Sequence, residues 1–98
     1  MNQEAQPVAL NAKPILGRNF RLQWEEVQKA WVLLYPEGMV KLNNSAGEIL
    51  RRCDGNRTVA QIVDELEQAF GATGLVADVS AFFGIAIKQR WVETDGRQ

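Results

Sequence analysis

The sequence predicts an α+β, winged-helix-like domain, in which a three-stranded antiparallel sheet is followed by a three-helix bundle. Three observations predict it. Apolar residues alternate with polar ones near residue 20, and a wholly apolar run follows that ends at Pro36-Glu37-Gly38. After residue 44 the period changes to that of helices, with cap signals at Ser45 and Thr58. The strand–strand connections are short, which favours an antiparallel meander.

Residues 1–18 carry Gln, Asn and Pro with no sustained period, so they read as a flexible lead-in. The domain then spans 19–93, and 94–98 read as a polar tail. Phe20, Leu22 and Trp24 alternate with Arg21, Gln23 and Glu25, the mark of a half-buried strand. Ala30 to Tyr35 is apolar at every position and suits a central strand covered on both faces. Pro36-Glu37-Gly38 makes a tight turn, and Met39 to Leu42 forms a third strand at the sheet edge. Val40 and Leu42 share one face of it, Met39 and Lys41 the other.

The first helix opens at Ser45, with Glu48 three residues on, and is expected to bury Ala46, Ile49, Leu50 and Cys53 before ending at Asp54-Gly55. The second is capped by Thr58 with Gln61. It carries the stripe Val59, Ile62, Val63, Leu66, Ala69 and Phe70. The third, from Val76 to Arg90, buries Val79, Phe83, Ala86 and Ile87, while Phe82, Ile85 and Gln89 form an adjoining strip. That is more apolar surface than so small a domain can bury against its own sheet.

Composition excludes several functions. The chain of 98 residues has 11 basic and 12 acidic side chains, a net charge of −1, and no histidine. Without histidine, triads, Cys/His pairs and the usual zinc sites cannot be assembled from this chain, so no enzymatic activity, metal or cofactor is expected. A DNA reader needs a basic footprint, and the second helix turns mostly acidic residues to solvent, so no nucleic-acid partner is expected. No run approaches the ~18 apolar residues of a membrane span. No secretory signal pattern opens the chain, and its single cysteine fits a reducing compartment. The expectation is a cytoplasmic protein without a membrane partner.

The binding readings rest on two surfaces. Met39, Val40, Lys41, Leu42 and Asn43 leave an unpaired row of backbone groups, which is a template for another strand. Beside Phe82, Ile85 and Gln89 they would form a groove that captures an extended peptide by strand addition. The alternative is that Phe82 and Ile85 are core and Lys41 guards the edge. Second, if Val32 and Leu34 face the helices, then Trp31, Leu33 and Tyr35 line the opposite sheet face as an interface, for a homodimer or for a protein partner. Arg51-Arg52 reads as a solvated helix face or as a grip for an acidic partner. Cys53 reads as a buried structural thiol, and the Glu25-Glu26 pair has no assigned chemistry.

Arg21-Leu22-Gln23-Trp24-Glu25-Glu26, the turn Leu33-Leu34-Tyr35-Pro36-Glu37-Gly38, the run from Leu42-Asn43 through Ser45-Ala46 to Ile49-Leu50, Asp54-Gly55 with Thr58-Val59 and Ile62, and the closing Trp91-Val92 together resemble the PqqD family. The resemblance extends from about Lys13 to Glu93. It implies a peptide chaperone of pyrroloquinoline quinone biosynthesis, which binds the precursor peptide PqqA and presents it to the radical S-adenosylmethionine enzyme PqqE. It also implies that the peptide's leader lies as an added strand against the third strand, beside the third helix. Proline at Val40 or Leu42 is then expected to abolish peptide binding. The enzyme is expected to meet another surface, the outer sheet face. Where the family often has glycine before the final tryptophan this chain has Arg90, so the third helix is expected to run on slightly. A second expectation is a winged-helix-like assembly module, a dimer or an enzyme subunit, without peptide capture.

Overall fold

The structure, a computed structural model, describes residues 8–94. The elements in order are β1 (Ile15–Leu16), β2 (Arg21–Glu25), β3 (Ala30–Tyr35), β4 (Gly38–Lys41), α1 (Asn44–Leu50), α2 (Val59–Phe70), α3 (Val76–Lys88) and β5 (Val92–Glu93). β2, β3 and β4 form an antiparallel three-stranded sheet in that order, and three helices follow it, as the sequence predicts. β1 and β5 pair in a separate antiparallel ladder that the sequence reading did not foresee.

Register decides which sheet face meets the helices. Tyr35 lies opposite Gly38, Leu33 opposite Val40, and Leu22 opposite Leu33. Directly opposed residues share a face, so Leu22, Trp24, Trp31, Leu33, Tyr35 and Val40 all point the same way. That way is toward the helices. Leu33 is fully buried in the core with Leu50, Ile62 and Phe83, and Trp31, Leu22 and Val40 pack against the same cluster. The assignment of Trp31, Leu33 and Tyr35 to an outer interface is therefore corrected: the parity is the reverse, and Val32 and Leu34 lie on the outer face. Val32 is buried there without joining the helix-side core, opposite Gln23 and Lys41.

Close approach of α1 to β3 depends on Gly47. An added Cβ would stand 2.1 Å from the Cδ1 of Trp31 and 2.8 Å from its Cβ. Trp31 in turn meets Trp24 edge-on, with ring centroids 5.3 Å apart.

The helix caps are partly as read. Thr58 and Gln61 form the expected reciprocal box on α2, Thr58 accepting from the Gln61 N–H and the Gln61 side chain from the Thr58 N–H. α1 starts earlier than read. Its cap is Asn43, whose Oδ1 accepts the Ala46 N–H at 2.8 Å, and not Ser45. Glu48 is drawn elsewhere, to Arg52 at 2.8 Å. Arg52 also reaches Glu65 on α2 at 3.2 Å, so it ties two helices together, while Arg51 stays exposed.

α3 ends at Lys88 and does not run on. Arg90 takes φ 68°, the left-handed conformation for which glycine is the usual choice. The Arg90 N–H donates to the Ile87 carbonyl and the Trp91 N–H to the Ala86 carbonyl, which together close a Schellman motif. The turn is made with arginine in a conformation that favours glycine, at a conformational cost of about 1 kcal/mol.

The expected flexible lead-in is corrected within the described residues. Pro14 is fully buried and Ala12 is buried too. The carbonyls of Ala12 and Leu10 accept the Val59 and Ala60 N–H groups, at 2.9 and 3.0 Å. Those donors belong to the first turn of α2, which has no intrahelical partner for them. Ile15 and Leu16 then pair with Glu93 and Val92, and the Gly17 N–H donates to the Trp91 carbonyl at 2.7 Å. Residues 1–7 of the lead-in and 95–98 of the tail lie outside the described residues. Among the described residues no helix is long and apolar enough to cross a membrane.

Candidate functional site

The sequence leaves β4 as an edge because Asn43 turns the chain into α1 immediately after it. One side of β4 pairs with β3, and among the described residues the other has no strand beside it. Which groups it offers follows from one bond, the Leu42 N–H donating to the Trp31 carbonyl at 3.0 Å. Peptide groups of alternate residues point to opposite sides of a strand. Leu42 and Val40 therefore direct theirs into the sheet, and Met39 and Lys41 direct theirs outward.

This row of free groups forms one wall of a cleft of about 480 Å³. The opposite wall is α3, with Phe82 and Ile85, and the buried residues lining the cleft are Leu42, Ala46, Ile49, Leu66 and Val79. Phe70 and Ile85 are 50% and 55% exposed and form an apolar rim. Val40 and Leu42 face into the cleft on the helix side of the sheet. A strand laid along Met39 and Lys41 would turn every second side chain toward the same apolar floor. The charged residues lining the cleft are Lys41 on the strand wall and Asp78 on the helix wall.

The structure thus brings together Val40, Lys41, Leu42, Asn43, Phe82 and Ile85 from the sequence-predicted set. Met39 does not line the cleft: its peptide groups lie on the free edge of β4, and its side chain is 53% exposed on the outer face. Gln89 caps the C-terminus of α3 and does not line the cleft. Phe70, Leu75 and Trp91 line it and were not singled out. In the sequence Phe70 reads as the end of the apolar stripe on the second helix, and Trp91 as part of the family resemblance. The α2–α3 turn that carries Leu75 is fixed by Glu67, whose carboxylate accepts the Leu75 N–H at 3.0 Å.

Among the described residues no group of three or more His, Cys, Asp or Glu side chains is placed to hold a metal ion. Cys53 is buried, and burial pushes its thiol up to about 12, far from the thiolate a nucleophile requires. Its Sγ donates to the Ile49 carbonyl. Glu26 has its carboxyl held below the ordinary range by Lys29 and by the Trp24 indole N–H, in an exposed turn.

Known proteins resemble this chain over most of its length. The protein-family model described as "Coenzyme PQQ synthesis protein D (PqqD)" matches residues 30–92. A Pseudomonas aeruginosa protein named "PqqA binding protein" is 51% identical over 86 residues, covering 87% of this chain and 94% of its own length. The "PqqA binding protein" of Azotobacter vinelandii is 49% identical over 85 residues, covering 86% and 92%. Among solved structures, the solution structure of the PqqD truncation of Methylobacterium extorquens PqqCD superposes with a TM-score of 0.69 at 34% identity, covering 82% of this chain and 87% of that one. That protein is described as a functional, stand-alone recognition element for ribosomally synthesized and post-translationally modified peptides. Matched over most of its length by the family model and by relatives about half identical, the chain belongs to the PqqD family.

Proposed function

We propose that this chain is a peptide chaperone that binds a PqqA-type precursor peptide by adding it as a strand to β4, and presents it to a PqqE-type radical S-adenosylmethionine enzyme. The observation that carries the reading is the unpaired Met39–Lys41 edge standing over an apolar cleft. Main-chain bonds to Met39 and Lys41 supply affinity, and the floor selects apolar side chains at alternate positions of the peptide. The names of the relatives support the identity of the peptide.

No chemistry by the chaperone is needed for this role. An extended peptide held on a rigid edge is delivered at a high effective concentration to whatever enzyme binds the chaperone. That enzyme would meet the outer sheet face, where Met39, Leu34 and Arg21 lie on the side away from the cleft.

Calorimetric titration with the intact precursor peptide, and with the same peptide lacking its leader, tests the reading. One-to-one binding that weakens on leader removal is expected. Failure of the intact peptide to bind would overturn it.

A further inference from the structure

β2 is the second edge of the sheet, on the side away from the cleft. The Trp31 carbonyl points to β4, so Ala30, Val32 and Leu34 direct their peptide groups toward β2. Gln23 lies opposite Val32 and directs its own groups inward. Leu22 and Trp24 therefore direct theirs outward. Among the described residues no backbone bond takes up either of these N–H groups. Arg21 and Gln23 are exposed, and Trp24 is 41% exposed.

The strand Arg21-Leu22-Gln23-Trp24-Glu25 is its own complement when laid antiparallel on a second copy about Gln23. Arg21 of one copy then faces Glu25 of the other, Leu22 faces Trp24, and Gln23 faces Gln23. Opposite charges meet on the outer face and apolar side chains on the inner one, which are the favourable cross-strand combinations. The same register sets outward-pointing Leu22 against outward-pointing Trp24, so their peptide groups exchange hydrogen bonds on both sides of the two-fold axis. A slip of one residue would oppose side chains from different faces. A slip of two would separate both Arg–Glu pairs.

We propose that β2 is a self-association edge through which two copies join their sheets, in the register that sets Arg21 against Glu25. β4 lies at the opposite edge, so both clefts stay open in the pair. The contact is one pair of short strands and buries less than the ~1,000 Å² of a stable dimer. Association is therefore weak and concentration-dependent.

Sedimentation of the full chain from micromolar to millimolar concentration tests this, with the variants R21E, E25R and R21E/E25R. Wild type is expected to shift toward dimer as concentration rises. Each single variant should weaken association about tenfold, by turning both cross-strand pairs repulsive. The double variant should restore it, because the charges are then merely exchanged. In wild type, the Leu22 and Trp24 amide resonances should move with concentration, a readout that needs no variant. A wild type that stays monomeric, a dimer indifferent to both single variants, a double variant that fails to recover, or unmoved Leu22 and Trp24 amides would overturn the proposal.

Discussion

Lys41→Pro is expected to fold like the wild type and to lose the precursor peptide. The Lys41 N–H points away from the sheet, so proline removes a donor that no described residue uses, and an edge strand tolerates proline there. A strand-adding peptide loses that bond and meets the ring in its place. The expected loss of affinity is about tenfold or more, read by calorimetry beside unchanged circular dichroism. Lys41→Ala serves as the control for charge, and should retain most of the affinity. The contrast with Val40→Pro and Leu42→Pro is the sharper part. Those residues direct their N–H groups to β3, so proline there breaks the sheet itself. The sequence alone favoured them as test positions, because a strand's outward and inward groups cannot be told apart until one cross-strand bond is known. A folded Lys41→Pro protein with full affinity would show that the peptide does not use this edge.

The second large effect is expected at Gly47. Gly47→Ala gains up to about 1 kcal/mol of helix propensity. Against this, the new methyl group would stand 2.1 Å from an atom of Trp31. The conflict involves the Cβ and Cγ of Trp31, close to its backbone, so rotation of the indole does not relieve it. Helix α1 and strand β3 must separate. A net destabilisation of about 2 kcal/mol follows, or a fall in Tm of roughly 10 °C, measured by thermal denaturation. Because α1 begins where β4 ends, at the Asn43 cap, the same shift should widen the cleft and weaken peptide binding. An unchanged Tm would mean that α1 does not rest on Trp31.

Much of this was legible from residues because each element carries its own local signal. The alternation of Phe20, Leu22 and Trp24, the Pro36-Glu37-Gly38 turn and the Thr58–Gln61 box are short-range patterns, and the fold class follows from their order. The run Ala30 to Tyr35 is different, since an unbroken apolar strand has no parity of its own. Its facing was nonetheless recoverable. The tight turn sets Tyr35 opposite Gly38, which carries Leu33 to Val40 and Trp31 to Leu42, and so to the helix side. The N-terminal segment was illegible for another reason. Leu10, Ala12 and Pro14 are held by their carbonyls, and main-chain bonds leave no trace in side-chain pattern. At the start of α1 the sequence places the cap at Ser45, but Asn43, two residues earlier, takes the Ala46 N–H, while Glu48 is engaged by Arg52. The cleft's strand wall was legible as an edge. Phe70 was not, because an apolar residue at helical spacing reads as core until the helix's end is seen to overhang a gap, and Trp91 was not, because it follows the end of α3 and its position depends on the turn at Arg90.

The most direct test of strand addition is an amide-resolved titration of the isotope-labelled protein with the intact precursor peptide, followed by hydrogen exchange of the complex. The expected result is large shifts in β4 and along Phe82 and Ile85, with the Met39 and Lys41 amides newly protected from exchange. Val40 and Leu42, already bonded to β3, should change little in protection. Shifts centred on the outer sheet face, with Met39 and Lys41 exchanging as fast as before, would contradict it.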